Sequence, residues 1–163
     1  MARRTFFSFH YDNDVWRATN VRNSWVVKGE KDAAGFVDHA DFEEVEKKGE
    51  AAIKAWIRDQ LAGTSVTVVL IGSETSYREY VKYELQQSFA KGNGLLGIYI
   101  DGIEDSSENT SKRGSNHFGE IGKDSAGKPV YFSVAYPCYD WVADNGRANM
   151  GSWIDAAAKK AGR

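Results

Sequence analysis

One cysteine, Cys138, stands among the 163 residues. That excludes an intrachain disulfide, and it excludes a zinc site built from several cysteines of the chain. A lone cysteine reads as a small buried hydrophobe. No charge of one sign dominates, because 21 basic residues face 23 acidic ones and leave a formal net charge of −2. Neither nucleic acid nor an anionic membrane is expected as the main partner of such a chain. No apolar run reaches the length of a membrane span. The basic start Met1-Ala2-Arg3-Arg4 passes at once into strand-like sequence, with no signal-peptide h-region between them. The expectation is a cytoplasmic protein, in which the Asn109-Thr110-Ser111 sequon carries no meaning. The three histidines, His10, His39 and His117, lack the spacing of metal ligands, so no metal is expected.

What is present is a core. Hydrophobic residues make up 42% of the chain and aromatics 13%, which excludes a disordered segment. The length suits one domain over 1–163. Thr5-Phe6-Phe7-Ser8-Phe9 reads as a first strand, and the polar run His10 to Asp14 supplies helix-capping residues. Val15, Trp16, Thr19 and Val21 then suggest a helix. Gly35-Phe36-Val37 is a short strand candidate ending at Asp38. Asp41 and Glu44 form a capping pair, and the spacing from Val45 to Leu61 predicts one helix. Val66 to Ile71 is apolar throughout, as a strand covered on both faces should be.

A polar loop follows, then a helix whose core side is Val81, Leu85 and Phe89. Leu95 to Ile100 is another apolar strand. The polar, Gly/Ser-rich stretch 101–128 reads as a long excursion with short pieces of structure. The segment 129–163 should hold a last strand over Val130 to Val134 and an Ala-rich helix capped by Ser152. Strands alternating with helices predict an α/β fold with a mostly parallel sheet.

Gly92-Asn93-Gly94-Leu95-Leu96-Gly97 matches G-x-G-x-x-G letter for letter. A dinucleotide fingerprint follows a strand and opens a helix, whereas this run follows a helix and opens a strand. Its glycines read as a helix C-cap and a tight turn. Gly122-Lys123 lacks the rest of a P-loop, and Ser8 and Ser73 lack a nucleophile-elbow context.

Position carries more than motif. Ser8 to Asp14 follow the first strand, Asp38 follows the second, and Gly72 to Glu84 follow the third. In a parallel sheet all three stretches lie on the carboxyl edge, where ligands bind. Ser76, Tyr80 and Glu84 are four apart and should stack along one side of a helix. Glu84 is then on the flank of the buried stripe, at a pocket edge. Residues of this kind also serve merely as caps and solvating groups.

The run Phe6-Phe7-Ser8-Phe9-His10-Tyr11-Asp12-Asn13-Asp14 resembles the first box of TIR domains. Val68-Val69-Leu70-Ile71-Gly72-Ser73, followed by Ser76, Tyr80 and Glu84-Leu85, resembles the TIR pattern of Ser, Trp and Glu at fourfold spacing. Tyr80 stands where many TIR enzymes have Trp. With Val21-Arg22-Asn23, Thr64-Ser65-Val66-Thr67 and Tyr139-Asp140-Trp141-Val142-Ala143-Asp144, the chain is similar to the TIR-like subunit of the Thoeris anti-phage system.

That resemblance implies a flavodoxin-like, three-layer TIR sandwich. It implies an enzyme that senses infection, takes NAD as substrate without a cofactor, and makes a cyclic ADP-ribose isomer for a separate effector. A phage-derived trigger protein and self-association are the further partners it leaves open. Glu84 takes the catalytic role, and Ser8, His10 and Tyr11 become pocket-lining positions. Asp38, Ser73, Ser76 and Tyr80 complete the expected substrate-binding set. Tyr11 would stack on a ring, and Tyr80 would pack against a ring or the ribose. Two other readings stay open: a TIR-like binding module without catalysis, and a nucleoside-processing transferase that also sets a glutamate on a ribose.

Overall fold

The computed structural model describes residues 4–27, 33–34 and 44–163, with side chains over 4–24 and 44–163. Its strands are β1 (Thr5–Ser8), β2 (Ala33–Ala34), β3 (Val66–Ile71), β4 (Gly94–Tyr99), β5 (Glu120–Lys123), β6 (Pro129–Tyr131) and β7 (Cys138–Asp140). Its helices are α1 (Tyr11–Val27), α2 (Glu50–Leu61), α3 (Glu79–Lys91), α4 (Phe132–Ala135) and α5 (Gly146–Lys160). Five strands form one parallel sheet in the order β2-β1-β3-β4-β7. That is the order of a flavodoxin-like doubly wound sheet. Among the described residues, no helix is long and apolar enough to cross a membrane.

Strand alternation sorts the core into two faces. Phe7, Val66, Val68, Leu70, Leu96 and Ile98 meet Ala18 and Val21 of α1 and Met150, Ile154 and Ala158 of α5. On the other face Val69, Ile71 and Leu95 meet Val81 and Leu85 of α3. Phe6 meets Ile53, Ile57 and Leu61 of α2 there. All six residues of β3 are buried, which is why that strand reads as an unbroken apolar run. Helices on both faces make the three-layer sandwich.

Three expectations need correction. The fifth strand of the sheet is β7, not Val130 to Val134. Val130 lies instead in β6, which pairs antiparallel with β5 outside the main sheet, and residues 132–135 turn into α4. Phe132 is fully buried beneath that turn, so tertiary packing overrides the β-propensity of the run. The last helix starts at Gly146 with Asn145 at its N-cap, and Ser152 lies inside it. The helix expected over 45–61 is broken at Gly49, whose φ of 97° lies in the left-handed region that glycine tolerates. A helical turn over 44–47 precedes the break. Asp41 and the strand candidate Gly35 to Val37 lie outside the described residues.

The polar excursion 101–128 is tied down. Arg113 pairs with Asp101 at 2.9 Å and with Asp140, and its guanidinium lies 4.2 Å from the centre of the Tyr99 ring. Phe118 and Ile121 are buried in the core. Gly114 sits so close to the end of β3 that a Cβ there would overlap the carbonyl oxygen of Gly72. Backbone cannot retreat cheaply in a packed interior. Gly114→Ala should therefore lower stability by about 1–3 kcal/mol, read as a lower urea midpoint. An unchanged midpoint would show that the excursion is not seated on the sheet edge.

Candidate functional site

The chain leaves β1 toward one face of the sheet, because α1 packs there. It leaves β3 toward the other face, where α3 packs. β1 and β3 are neighbours. Two adjacent strands whose following loops diverge open a crevice at their carboxyl ends. A narrow slot lies there, lined by Phe7, Phe9 and Tyr11 from the β1 side, Trp56 from α2, and Arg78, Tyr80, Val81 and Glu84 from the start of α3. Its free space is about 30 Å³, room for a water or two.

Glu84 reaches this slot two turns into α3. Its side chain is only 9% exposed, which is unusual for a carboxylate without a partner. Neither Glu84 Oε2 nor the neighbouring Ser8 Oγ finds a hydrogen-bond partner among the described residues. Burial pushes the Glu84 carboxyl up to about 8, and the nearby Ser8 hydroxyl and the charge of Arg78 offset only part of that rise. Ser8 is in place because β1 pairs with β3 in a register that sets Ser8 beside Val69. The helix holds Glu84 rigidly, since Val81, Leu85 and Ser88 of α3 are buried with it. The Ser88 hydroxyl lies 2.7 Å from Thr67 Oγ1 in β3.

A polar rim surrounds the slot. His10 sits just before α1 and accepts the amide of Asn13 through Nδ1 at 3.3 Å, as an N-cap does. Burial first, and then the Arg78 charge, hold its imidazole below the ordinary value. Asn13 also donates to Glu74 at 2.6 Å. Asp14 is buried one turn on. Burial lifts its carboxyl to about 6, against the pull of Arg17 at 3.8 Å and a weak hydrogen bond from Thr75 at 3.5 Å. Thr75 in turn accepts the amide of Gly72 at 2.8 Å. Arg17 reaches on to the carbonyls of Ile103 and Asn109 at 2.7 and 2.9 Å. The loops after β1 and β3 and the excursion are thus joined through Asp14 and Arg17.

The expected residues divide. Glu84, Tyr80 and Tyr11 line the slot, and Ser8 faces Glu84. His10 caps α1 and is not among the lining residues. Ser73 and Ser76 are half-buried on the connection after β3, outside the lining. Ser76 does not stack with Tyr80 and Glu84 on one helix, because it belongs to a separate 3-10 turn over Thr75–Tyr77 and α3 begins only at Glu79. Asp38 lies outside the described residues. Glu84 is buried rather than at a pocket edge, because the slot is walled by α2 as well as α3. Sequence reading missed Trp56 and Arg78. Trp56 sits on the apolar stripe of its helix and looks like core, and Arg78 looks like a solvated cap.

Comparison with known proteins gives two findings. The family model for "Thoeris protein ThsB, TIR-like domain" matches residues 6–105, a span that holds every slot-lining residue. The protein named "Putative cyclic ADP-D-ribose synthase ThsB1" from Bacillus cereus (strain MSX-D12) is 36% identical over 192 aligned residues. That alignment covers 95% of this chain and all of the relative. With the doubly wound sheet and the slot at its switch point, these findings establish that the chain belongs to the TIR-like ThsB family of Thoeris proteins.

Proposed function

We propose that the chain is a cytoplasmic NAD-consuming enzyme of anti-phage defence. It releases nicotinamide and closes the remaining ADP-ribose into a cyclic isomer that activates a separate effector. The observation that carries this reading is Glu84, a buried carboxyl whose Oε2 has no hydrogen-bond partner among the described residues, in an aromatic slot at the switch point. A stability-driven design would pair such a group or replace it. The relative's name, a cyclic ADP-D-ribose synthase, supports the product class.

The chemistry asks little more of the protein. The bond between nicotinamide nitrogen and ribose breaks, and its electron pair goes to the ring, which leaves as a neutral molecule. The ribose carbon gains oxocarbenium character, as in glycoside transfer. Ionised Glu84 stabilises that charge in a site of low dielectric. A hydroxyl or ring nitrogen of the same molecule then attacks, losing its proton if it carries one, and closes the ring. Attack by water gives linear ADP-ribose instead. Aromatic walls from Tyr11, Trp56 and Tyr80 exclude water and fold the substrate back, which favours closure.

The narrowness of the slot favours one other reading, a TIR-like binding module that does no chemistry. A dinucleotide does not enter about 30 Å³. Under the enzyme reading the slot must widen, and a phage-derived trigger or self-association would supply the energy for it. Mass spectrometry of nucleotides from infected cells separates the two. Wild type should produce an ADP-ribose isomer, and Glu84→Gln should cut it by a factor of at least about 100. Protection against phage by both versions without any new nucleotide would leave the binding module.

The same substitution should raise stability. The Glu84 carboxyl is held at about 8 in the fold against an ordinary 4.5. The folded state therefore keeps a proton that the unfolded chain loses, and stability falls as pH rises between those values. Glu84→Gln removes that dependence. Its melting temperature should gain on wild type by several degrees between about pH 5 and pH 9, and a gap that stays constant would refute the buried, proton-holding carboxyl.

Activity should carry the same group with a consistent sign. The free enzyme must lose the Glu84 proton before the carboxylate can act, so kcat/KM for NAD should rise with pH toward a plateau above about 8. Bound substrate brings the positive nicotinamide ring beside the carboxyl, so the corresponding rise in kcat should lie at lower pH. A kcat/KM that is flat from about pH 6 to pH 9 would remove Glu84 from the chemistry.

A further inference from the structure

Arg78 has no role in the chemistry above, and its surroundings are unusual for an arginine. It is half-buried in the wall of the slot, where the other lining groups are aromatic or aliphatic apart from Glu84. Among the described residues, no carboxylate lies within ion-pair distance of its guanidinium. Arg17, which is buried, has Asp14 and two carbonyls, and even the exposed Arg113 has Asp101 and Asp140. An arginine at a cleft wall whose fork finds no carboxylate among the described residues fits an anion that is supplied from outside.

The electrostatics of the empty slot point the same way. Glu84 is held at about 8 and is mostly neutral near pH 7. His10, with its value lowered, is mostly neutral as well. Arg78 is then the one permanent charge on the slot wall among the described residues. It also holds the N-cap position of α3, where the first amides of a 13-residue helix are free and the helix dipole favours negative charge. Glu79, exposed in the first turn, opposes this and points to solvent rather than lining the slot. Arg78 and Glu84 are six residues apart on one helix, about 9 Å along its axis. That is the scale of one ribose with its 5′-phosphate.

We propose that Arg78 is the residue that recognises the phosphate next to the reacting ribose, so that the slot selects a nucleotide over a free nucleoside and sets the glycosidic carbon at Glu84. This rests on the reading of the protein as an NAD-cleaving enzyme, and it adds a specificity determinant to that reading. The proposal separates phosphorylated substrates from nucleosides, which Glu84 alone cannot do.

Calorimetric titration of the full chain tests it, with NAD, nicotinamide mononucleotide and nicotinamide riboside as probes. Arg78→Gln should weaken NAD and the mononucleotide by about 10- to 100-fold and leave the riboside unchanged. Arg78→Lys, a point charge without the fork, should fall between. A parallel loss for all three probes, or no loss for any, overturns the proposal. The fold is checked independently by far-ultraviolet circular dichroism, which should be the same in Arg78→Gln as in wild type. Wild type that binds NAD as tightly as Arg78→Gln removes the Arg78 proposal alone. The titration is run also on protein isolated from infected cells, where the enzyme reading has the slot widened, and wild type from that source that binds none of the three probes removes the proposal together with the NAD reading.

Discussion

Phe6, Phe7 and Ser8 of β1 pair with Thr67, Val68 and Val69 of β3, and that short parallel ladder sets the position of everything at the carboxyl edge. Parallel neighbours cannot be joined by a tight turn, so the chain must cross over through helices. α1 and α3 take opposite faces, and the space between their starts cannot be filled by either. The crevice is therefore a topological consequence of the strand order. The same ladder brings Ser8 to Glu84, and the packing of Val81 and Leu85 fixes the direction from which Glu84 arrives.

The energetics of the slot run against stability. A carboxyl is buried beside a hydroxyl, and neither Glu84 Oε2 nor Ser8 Oγ has a hydrogen-bond partner within the described residues. The fold tolerates this by keeping the proton on Glu84, which avoids the larger cost of a buried charge. It offsets the remainder elsewhere, with a fully buried β3 and with aromatic and aliphatic clusters on both faces. Such a local debt, held in place by a rigid scaffold, is typical of functional sites. Asp14 differs, since Arg17 and Thr75 partner it and it joins the loops after β1 and β3 to the excursion. Movement of any one of those three segments is thereby linked to the others.

Sequence and structure agree where a local signal and the tertiary packing ask for the same thing. The run Val66 to Ile71 and the apolar strand after Gly92 appear as read, and so does the helix that delivers Glu84, except that it begins at Glu79 and leaves out Ser76. Gly92 takes the left-handed C-cap conformation, so the G-x-G-x-x-G letters are a turn. The disagreements fall where two structures suit one composition. Val130 to Val134 has strand propensity, yet its middle residue Phe132 is needed in the core, and the chain turns helical to bury it. Ser152 looks like a cap because serine favours that position, but Asn145 caps the helix about two turns earlier.

By itself the sequence determined the alternation of apolar runs and amphipathic stretches, and hence a mostly parallel α/β sheet with Ser8 and Glu84 on one edge. It did so because burial on two faces demands unbroken apolar strands, and that demand is visible in one dimension. Only the tertiary structure decided that Trp56 and Arg78 share a slot with Glu84, that Ser76 does not, and that His10 is a cap. Those outcomes depend on how α2 lies against α3 and on where α3 begins. Such distances between segments remote in sequence are set by packing and leave no periodic trace in the chain.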